Sequence, residues 1–166
     1  MSANSVIHPA REYARRQGLV AAIINAMLNP FLAWLGNREM VFVPPYGGGG
    51  AIVDTAVTSI VLSVLVALFM TAGVHRDVRA GRIAVQAGIP RAGWLQRLPR
   101  NAWALGLLLG LGVAIILISL MLGLFQILER PGFPFLVFAS IKAAYTALVA
   151  FLVAICVIYR QLSEIR

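Results

Sequence analysis

Four polar side chains interrupt the long apolar segments of this chain and are the residues best placed to do chemistry there. Asn25 and Asn29 lie one helical turn apart in the first segment, Asp54 lies near the start of the second, and Lys142 is the only charge in the fourth. At 1.5 Å per helical residue, we expect all four within about 5–15 Å of the same membrane boundary. The sequence therefore predicts one polar cluster near one end of the membrane-spanning region.

Lys142 and Asp54 carry opposite charges, and two arrangements of them are compatible with the sequence. A lysine inside a bilayer costs about 2.5–3.5 kcal/mol on insertion scales, so it is usually paired or faces water. Lys142 can stretch toward the boundary and form an ion pair with Asp54 that joins the two halves of the chain. Alternatively, Lys142 reaches the headgroups alone, with its apolar stem in lipid, while Asp54 is hydrated.

The two asparagines also have two interpretations. Pro30 follows Asn29 directly and leaves the carbonyl of Ala26 without its helical partner, which tends to kink a helix. As packing residues, Asn25 and Asn29 would donate hydrogen bonds to a neighbouring helix, at about 1 kcal/mol each. As functional residues, they would face water and line a solute path together with Asp54 and Lys142.

Catalytic and cofactor chemistry is not indicated. One cysteine, Cys156, allows no disulfide framework and no cysteine metal site within one chain, and His8 and His75 have no partner at ligand spacing. With six acidic residues and no combination of a nucleophile with a base, we expect a protein that is not an enzyme and that uses no metal or other cofactor.

Four apolar segments must position the polar side chains. A chain that is 60% apolar and 12% charged is too hydrophobic for a soluble domain, and its apolar runs are long enough to cross a bilayer. The sequence predicts an all-α polytopic membrane protein, with four transmembrane helices arranged as two hairpins in a single domain over 1–166. The predicted helices cover about 18–35, 51–73, 103–128 and 135–158.

The basic connector, residues 74–102, joins the hairpins and fixes the expected orientation. It contains six arginines and one aspartate, whereas the charges of the loops at 36–50 and 129–132 cancel. Lysine and arginine collect on the cytoplasmic side of short loops, so both termini and the connector should be cytoplasmic and the polar cluster should lie in the outer half. Thirteen arginines against one lysine indicate a GC-rich bacterial genome, and hence a bacterial inner membrane.

Part of the connector has the composition of a membrane-surface segment. Trp94, Leu95 and Leu98 alternate with Arg91, Arg97 and Arg100, a mixture that contacts anionic headgroups. Short interfacial pieces and a solvated basic loop are both compatible with this pattern. Because the net charge of +8 lies at the ends of apolar segments, we assign it to lipid headgroups and expect no nucleic acid as a partner.

Small residues recur every four positions on three of the predicted helices. Such stripes let helix backbones approach closely in lipid. A weak internal repeat also appears when the chain is shifted by 88 positions, which places the segment from Asp54 over the segment from Lys142. The three stripes consist of Ala51, Thr55, Ser59, Ser63, Ala67 and Thr71; Gly106, Gly110 and Ala114; and Ala139, Ala143 and Ala147.

These patterns favour a non-catalytic inner-membrane component that assembles with other transmembrane helices, as a homo- or hetero-oligomer. The alternative is an oligomeric transporter or channel for a small solute or an ion, with the polar cluster along its path. Four helices rarely enclose a pathway alone, so this alternative also requires oligomers.

Overall fold

The computed structural model describes residues 8–37, 40–84, 93–129 and 131–163. It confirms an all-α fold with four helices long and apolar enough to cross a membrane. Those four helices are α1 (Ala10–Asn37), α2 (Ala51–Arg79), α4 (Ala102–Leu128) and α5 (Phe135–Leu162). Among the described residues, the short helix α3 (Gly93–Gln96) and three two-residue strands lie in the connections between them, and a fourth two-residue strand precedes α1.

The helices reach farther than the apolar runs that predicted them. The helix α1 begins eight residues before residue 18, and α2 continues six residues past residue 73, with Arg76 and Arg79 in its last turn. Apolar length sets where a helix enters the hydrocarbon region, but water and headgroups also permit helical backbone. Basic residues at a helix C-terminus interact favourably with its dipole, which supports the longer α2.

The four long helices pack in the order α1, α5, α2, α4. Each helix of one hairpin therefore packs mainly on a helix of the other, and α1 scarcely touches α2. The central pair α2 and α5 has 39% and 44% of its most apolar window buried, against 22% and 28% for the end helices α1 and α4. The two hairpins are therefore consecutive in the chain, but each pair of helices that packs closely, α1 with α5 and α2 with α4, takes one helix from each hairpin.

Close approach of small residues explains the α2–α4 pair. A Cβ at Gly106 would lie 2.7 Å from the Cα of Val64, and one at Gly110 would lie 2.9 Å from the Cα of Ile60. Only glycine lets the two backbones come this near, as in small-residue interfaces of other membrane helices. The stripes on α2 and α4 thus face each other inside the chain.

The packing follows the internal repeat of 88 positions. Gly18 on α1 faces Phe151 and Ile155 on α5, while Gly106 on α4 faces Ser63 and Ala67 on α2. Gly106 is 88 positions after Gly18, and the two α2 residues are 88 positions before their α5 counterparts. Equivalent contacts at equivalent positions favour a pseudo-two-fold relation between the two hairpins, with α2 and α5 at its centre.

Short strands tie together the connections at each end of the bundle. At one end, here named the loop end, β2 (Phe42–Val43) pairs antiparallel with β4 (Phe133–Pro134), which joins the two short loops. At the other end, named the connector end, β1 (His8–Pro9) pairs parallel with β3 (Ile83–Ala84). The start of α1 and the connector therefore share one end.

Candidate functional site

An ion pair joins the two central helices near the loop end. The Lys142 Nζ on α5 lies 2.6 Å from each carboxylate oxygen of Asp54 on α2. These residues are 88 positions apart, so the pair links equivalent positions of the internal repeat. Of the two arrangements that the sequence allowed for Lys142, the structure contains the ion pair.

The two members of the pair differ in burial. The Lys142 side chain is 3% exposed, whereas that of Asp54 is 24% exposed. The ammonium group also lies 5.8 Å from the ring centroid of Phe138, within the range of a cation–π contact. Lys142 thus depends on protein groups for its stabilisation, while the Asp54 carboxylate retains partial access to its surroundings.

The two asparagines direct their amides along α1 itself. The Asn25 Nδ2 donates to the carbonyl of Ala21 at 2.8 Å. The Asn29 Nδ2 lies 3.2 Å from the backbone carbonyl and 3.0 Å from the side-chain oxygen of Asn25. Among the described residues, neither amide donates to a neighbouring helix, so the expected interhelical donors were wrong. The four-residue spacing favours this outcome, because it brings each amide over the turn before it.

Thr146 supplies the polar contact between α1 and α5 that the asparagines do not. Its Oγ1 lies 3.1 Å from the backbone carbonyl of Asn25 and 2.7 Å from that of Lys142. Its single proton can serve either acceptor. Sequence reasoning missed Thr146, although its position one turn after Lys142 could have indicated it. The backbone turn that carries the lysine is thereby close to the asparagine pair.

The polar cluster, defined as Asn25, Asn29, Asp54, Lys142 and Thr146, occupies only the loop-end part of the bundle. Asn29, Lys142 and Thr146 are buried. Toward the connector end, the interior continues as a packed apolar core. Buried members of this core include Ala21, Leu62, Val66, Leu105, Val149, Ala150 and Val153. The cluster can hold charge and hydrogen bonds at one depth, and this core closes the space between it and the connector end.

A second polar cluster at the connector end was missed in the sequence. The Tyr13 hydroxyl donates to Asp77 Oδ2 at 3.0 Å, and Arg76 and Arg82 lie 3.3 Å and 3.4 Å from Asp77 Oδ1. Asp77 is buried, but both arginine side chains are more than half exposed. The 64 residues between Tyr13 and Asp77 left no local pattern that could reveal this contact. It attaches the start of α1 to the end of α2.

The predicted membrane-surface residues fall around α3, except for Arg91, which lies outside the described residues. Trp94, Arg97 and Arg100 are all exposed, and Leu95 between them is buried. Arg160 on α5 donates from Nε to the carbonyl of Leu98 at 3.0 Å and holds this segment against the bundle. Their contact with headgroups stays a prediction.

Metal-ligand chemistry has no candidate in the part of the chain that the structure describes. No three histidine, cysteine, aspartate or glutamate side chains there are close enough together to hold a metal ion. Comparison of the chain with known protein families, with curated proteins and with solved structures found no match.

Proposed function

We propose that this protein is a non-catalytic component of a membrane assembly and that α4 provides its principal docking face. The observation that carries the proposal is a second set of small residues on α4, formed by Gly112, Ser119 and Gly123. A Cβ added at either glycine would meet nothing within 4 Å, and Ser119 is exposed. At 3.6 residues per turn, these residues lie on the side of α4 opposite Gly106 and Gly110.

The two faces of α4 thus have similar residues but different surroundings. The backbone of α2 fills the space beside Gly106 and Gly110. The space beside Gly112 and Gly123 is open and forms a shallow groove next to the exposed side chains of Ile115 and Ile116. A lipid chain gains little from such a groove, but another helix can approach its backbone closely and gain packing contacts. This contrast supports an intermolecular helix contact on the open face.

Removing the groove should dissociate the assembly without unfolding the chain. In the double variant Gly112→Leu with Gly123→Leu, the added side chains meet open space in the monomer but obstruct a close helix partner. Gly36→Leu on α1 is the matched control, because a Cβ there also meets nothing within 4 Å. The mass of the complex extracted in mild detergent should fall for the double variant only.

The wild-type mass identifies the partner. A multiple of the chain mass of 17.9 kDa would support a homo-oligomer, whereas any other mass would support a foreign subunit. A wild-type protein that is a single copy in mild detergent, or a double variant that retains the wild-type mass, would contradict the proposal.

For its location, we propose a bacterial inner membrane with the loop end outside. The support is the excess of arginine at the connector end and the cancelling charges of the two loops. In this orientation, the exposed residues around α3, including Trp94, Arg97 and Arg100, face the anionic headgroups of the cytoplasmic leaflet.

Transport of a small solute or ion is a second candidate, favoured by the polar cluster at the loop end. In this case, the cluster would open onto a path between copies of the chain, since the apolar core closes the interior of one copy. Flux into liposomes that contain the wild type, compared with Asn29→Leu, tests it. Specific flux that disappears in a well-assembled Asn29→Leu variant would replace the first proposal with this one.

A further inference from the structure

A small cavity opens between α2, α4 and α5 near the loop end, where α4 and α5 barely touch. Its volume is about 170 Å³, far above the roughly 15 Å³ that one water needs. It reaches the lipid-facing surface at Leu120, which is 63% exposed. The cavity has apolar walls formed by Leu117, Leu120, Met121, Leu124 and Ile141. A molecule can enter it directly from the bilayer.

Two hydroxyl groups without hydrogen bonds line this otherwise apolar cavity. Thr55 is fully buried, and neither its Oγ1 nor the hydroxyl of Tyr145 has a hydrogen-bond partner among the described residues. The Tyr145 hydroxyl is near the side chains of Thr55 and Thr58, but the geometry of a hydrogen bond is absent. Leaving a buried polar group unpaired is unfavourable, so a ligand that accepts hydrogen bonds here would be stabilised by both hydroxyls.

The charge and depth of the site select the ligand. The nearby ammonium of Lys142 is neutralised by Asp54, so the site offers hydroxyl donors and no net charge. The helix α2, with 29 residues, is about 43 Å long, close to the full thickness of a bilayer with its headgroups. Thr55 lies four residues, or about 6 Å, from its loop end, at the level where lipid ester groups meet the hydrocarbon.

We propose that this cavity binds a glycerolipid of the leaflet at the loop end. An ester carbonyl accepts hydrogen bonds from Thr55 and Tyr145, and the acyl chain lies along Leu117, Leu120 and Leu124. This inference does not depend on the proposed assembly, because every residue of the site belongs to one chain. It assigns a role to the two hydroxyls that the packing of the bundle leaves unused.

The test compares an ester lipid with an ether lipid that lacks the carbonyl. The delipidated full chain is titrated with dioleoylphosphatidylglycerol or with its dialkyl ether analogue, and native mass spectrometry measures the fraction with one lipid bound. Two neutral hydrogen bonds predict a preference for the ester of about fivefold or more. The double variant Thr55→Val with Tyr145→Phe should bind both lipids equally.

Ser140→Ala is the matched control. It also removes a hydroxyl from an exposed position of a long helix, but this hydroxyl already donates to the carbonyl of Leu136 at 2.8 Å. The control should keep the ester preference. Without lipid, the double variant should be at least as stable as the wild type, because it replaces unpaired hydroxyls by apolar groups of similar shape.

Three results would overturn the proposal. The first is an equal affinity of the wild type for ester and ether lipids, and the second is an ester preference that persists in the folded double variant. The third is displacement of the bound ester lipid by an equimolar amount of decylubiquinone, which would assign the carbonyl to a quinone.

Discussion

Removing Asp54 should destabilise the protein more than removing Lys142, because the two members of the ion pair differ in burial. In Asp54→Asn, the ammonium group of a lysine side chain that is only 3% exposed loses its counter-charge. In Lys142→Met, the remaining carboxylate is 24% exposed and lies near the loop end, where it can be hydrated. The same broken contact therefore has two different costs.

The expected magnitudes follow from this difference. Removing one partner of a buried pair costs about 3–5 kcal/mol. Asp54→Asn should cost about 3 kcal/mol, since its amide oxygen still accepts one hydrogen bond, and Lys142→Met about 1.5 kcal/mol because solvent screens the carboxylate. The double variant has no stranded charge and should lose about 2 kcal/mol, which leaves a coupling energy of about 2.5 kcal/mol.

The measurement is the free energy of unfolding of the four proteins in mixed micelles titrated with sodium dodecyl sulfate. Arg16 and Glu12 form a matched control pair on α1, with the same distance of 2.6 Å but exposures of 62% and 45%. Their coupling should be at most about 0.5 kcal/mol. Additive losses at Lys142 and Asp54, or a larger loss for Lys142→Met than for Asp54→Asn, would refute the reasoning.

Two further predictions concern orientation and helix packing. For orientation, Gly48→Cys and Gly88→Cys are introduced singly into a chain in which Cys156 has been replaced. In intact cells, a membrane-impermeant thiol reagent should label only Gly48→Cys. Labelling of Gly88→Cys would contradict the proposed topology. Gly106→Ala should destabilise the chain by about 1–3 kcal/mol, since the new Cβ would lie 2.7 Å from the backbone of α2. Gly112→Ala should be neutral in the monomer, because its Cβ meets nothing within 4 Å. Equal effects of the two substitutions in an unfolding titration would show that α2 and α4 are farther apart than the structure places them.

The polar cluster shows how far depth along a helix can predict a contact. Asp54 and Lys142 lie at similar depths with opposite charges, and the structure pairs them. One of the two interpretations of the asparagines expected acceptors on a neighbouring helix, but both amides donate along α1. Depth follows from sequence position alone, whereas the rotation of α1 and the choice between local and interhelical acceptors depend on its neighbours.

The small-residue stripes carried a similar ambiguity. Their spacing predicts close helix contacts but cannot say with which helix. In the structure, α2 packs directly against Gly106 and Gly110, so these two positions are not available for contact with a second chain. Gly112 and Gly123, which lie outside the four-residue repeat of α4, are open: a Cβ added at either would meet nothing within 4 Å.

The sequence by itself determined that this chain has four helices long and apolar enough to cross a membrane, because apolar length and the separation of charged from apolar segments are local properties of the chain. Only the tertiary structure decided that the helices pack in the order α1, α5, α2, α4, that Tyr13 meets Asp77, and that Thr55 and Tyr145 share a cavity. In lipid, every apolar helix face is solvated about equally well, so hydropathy does not determine which helices pack together. That choice depends on which backbones can approach closely and which polar groups then meet, and both are properties of the assembled bundle.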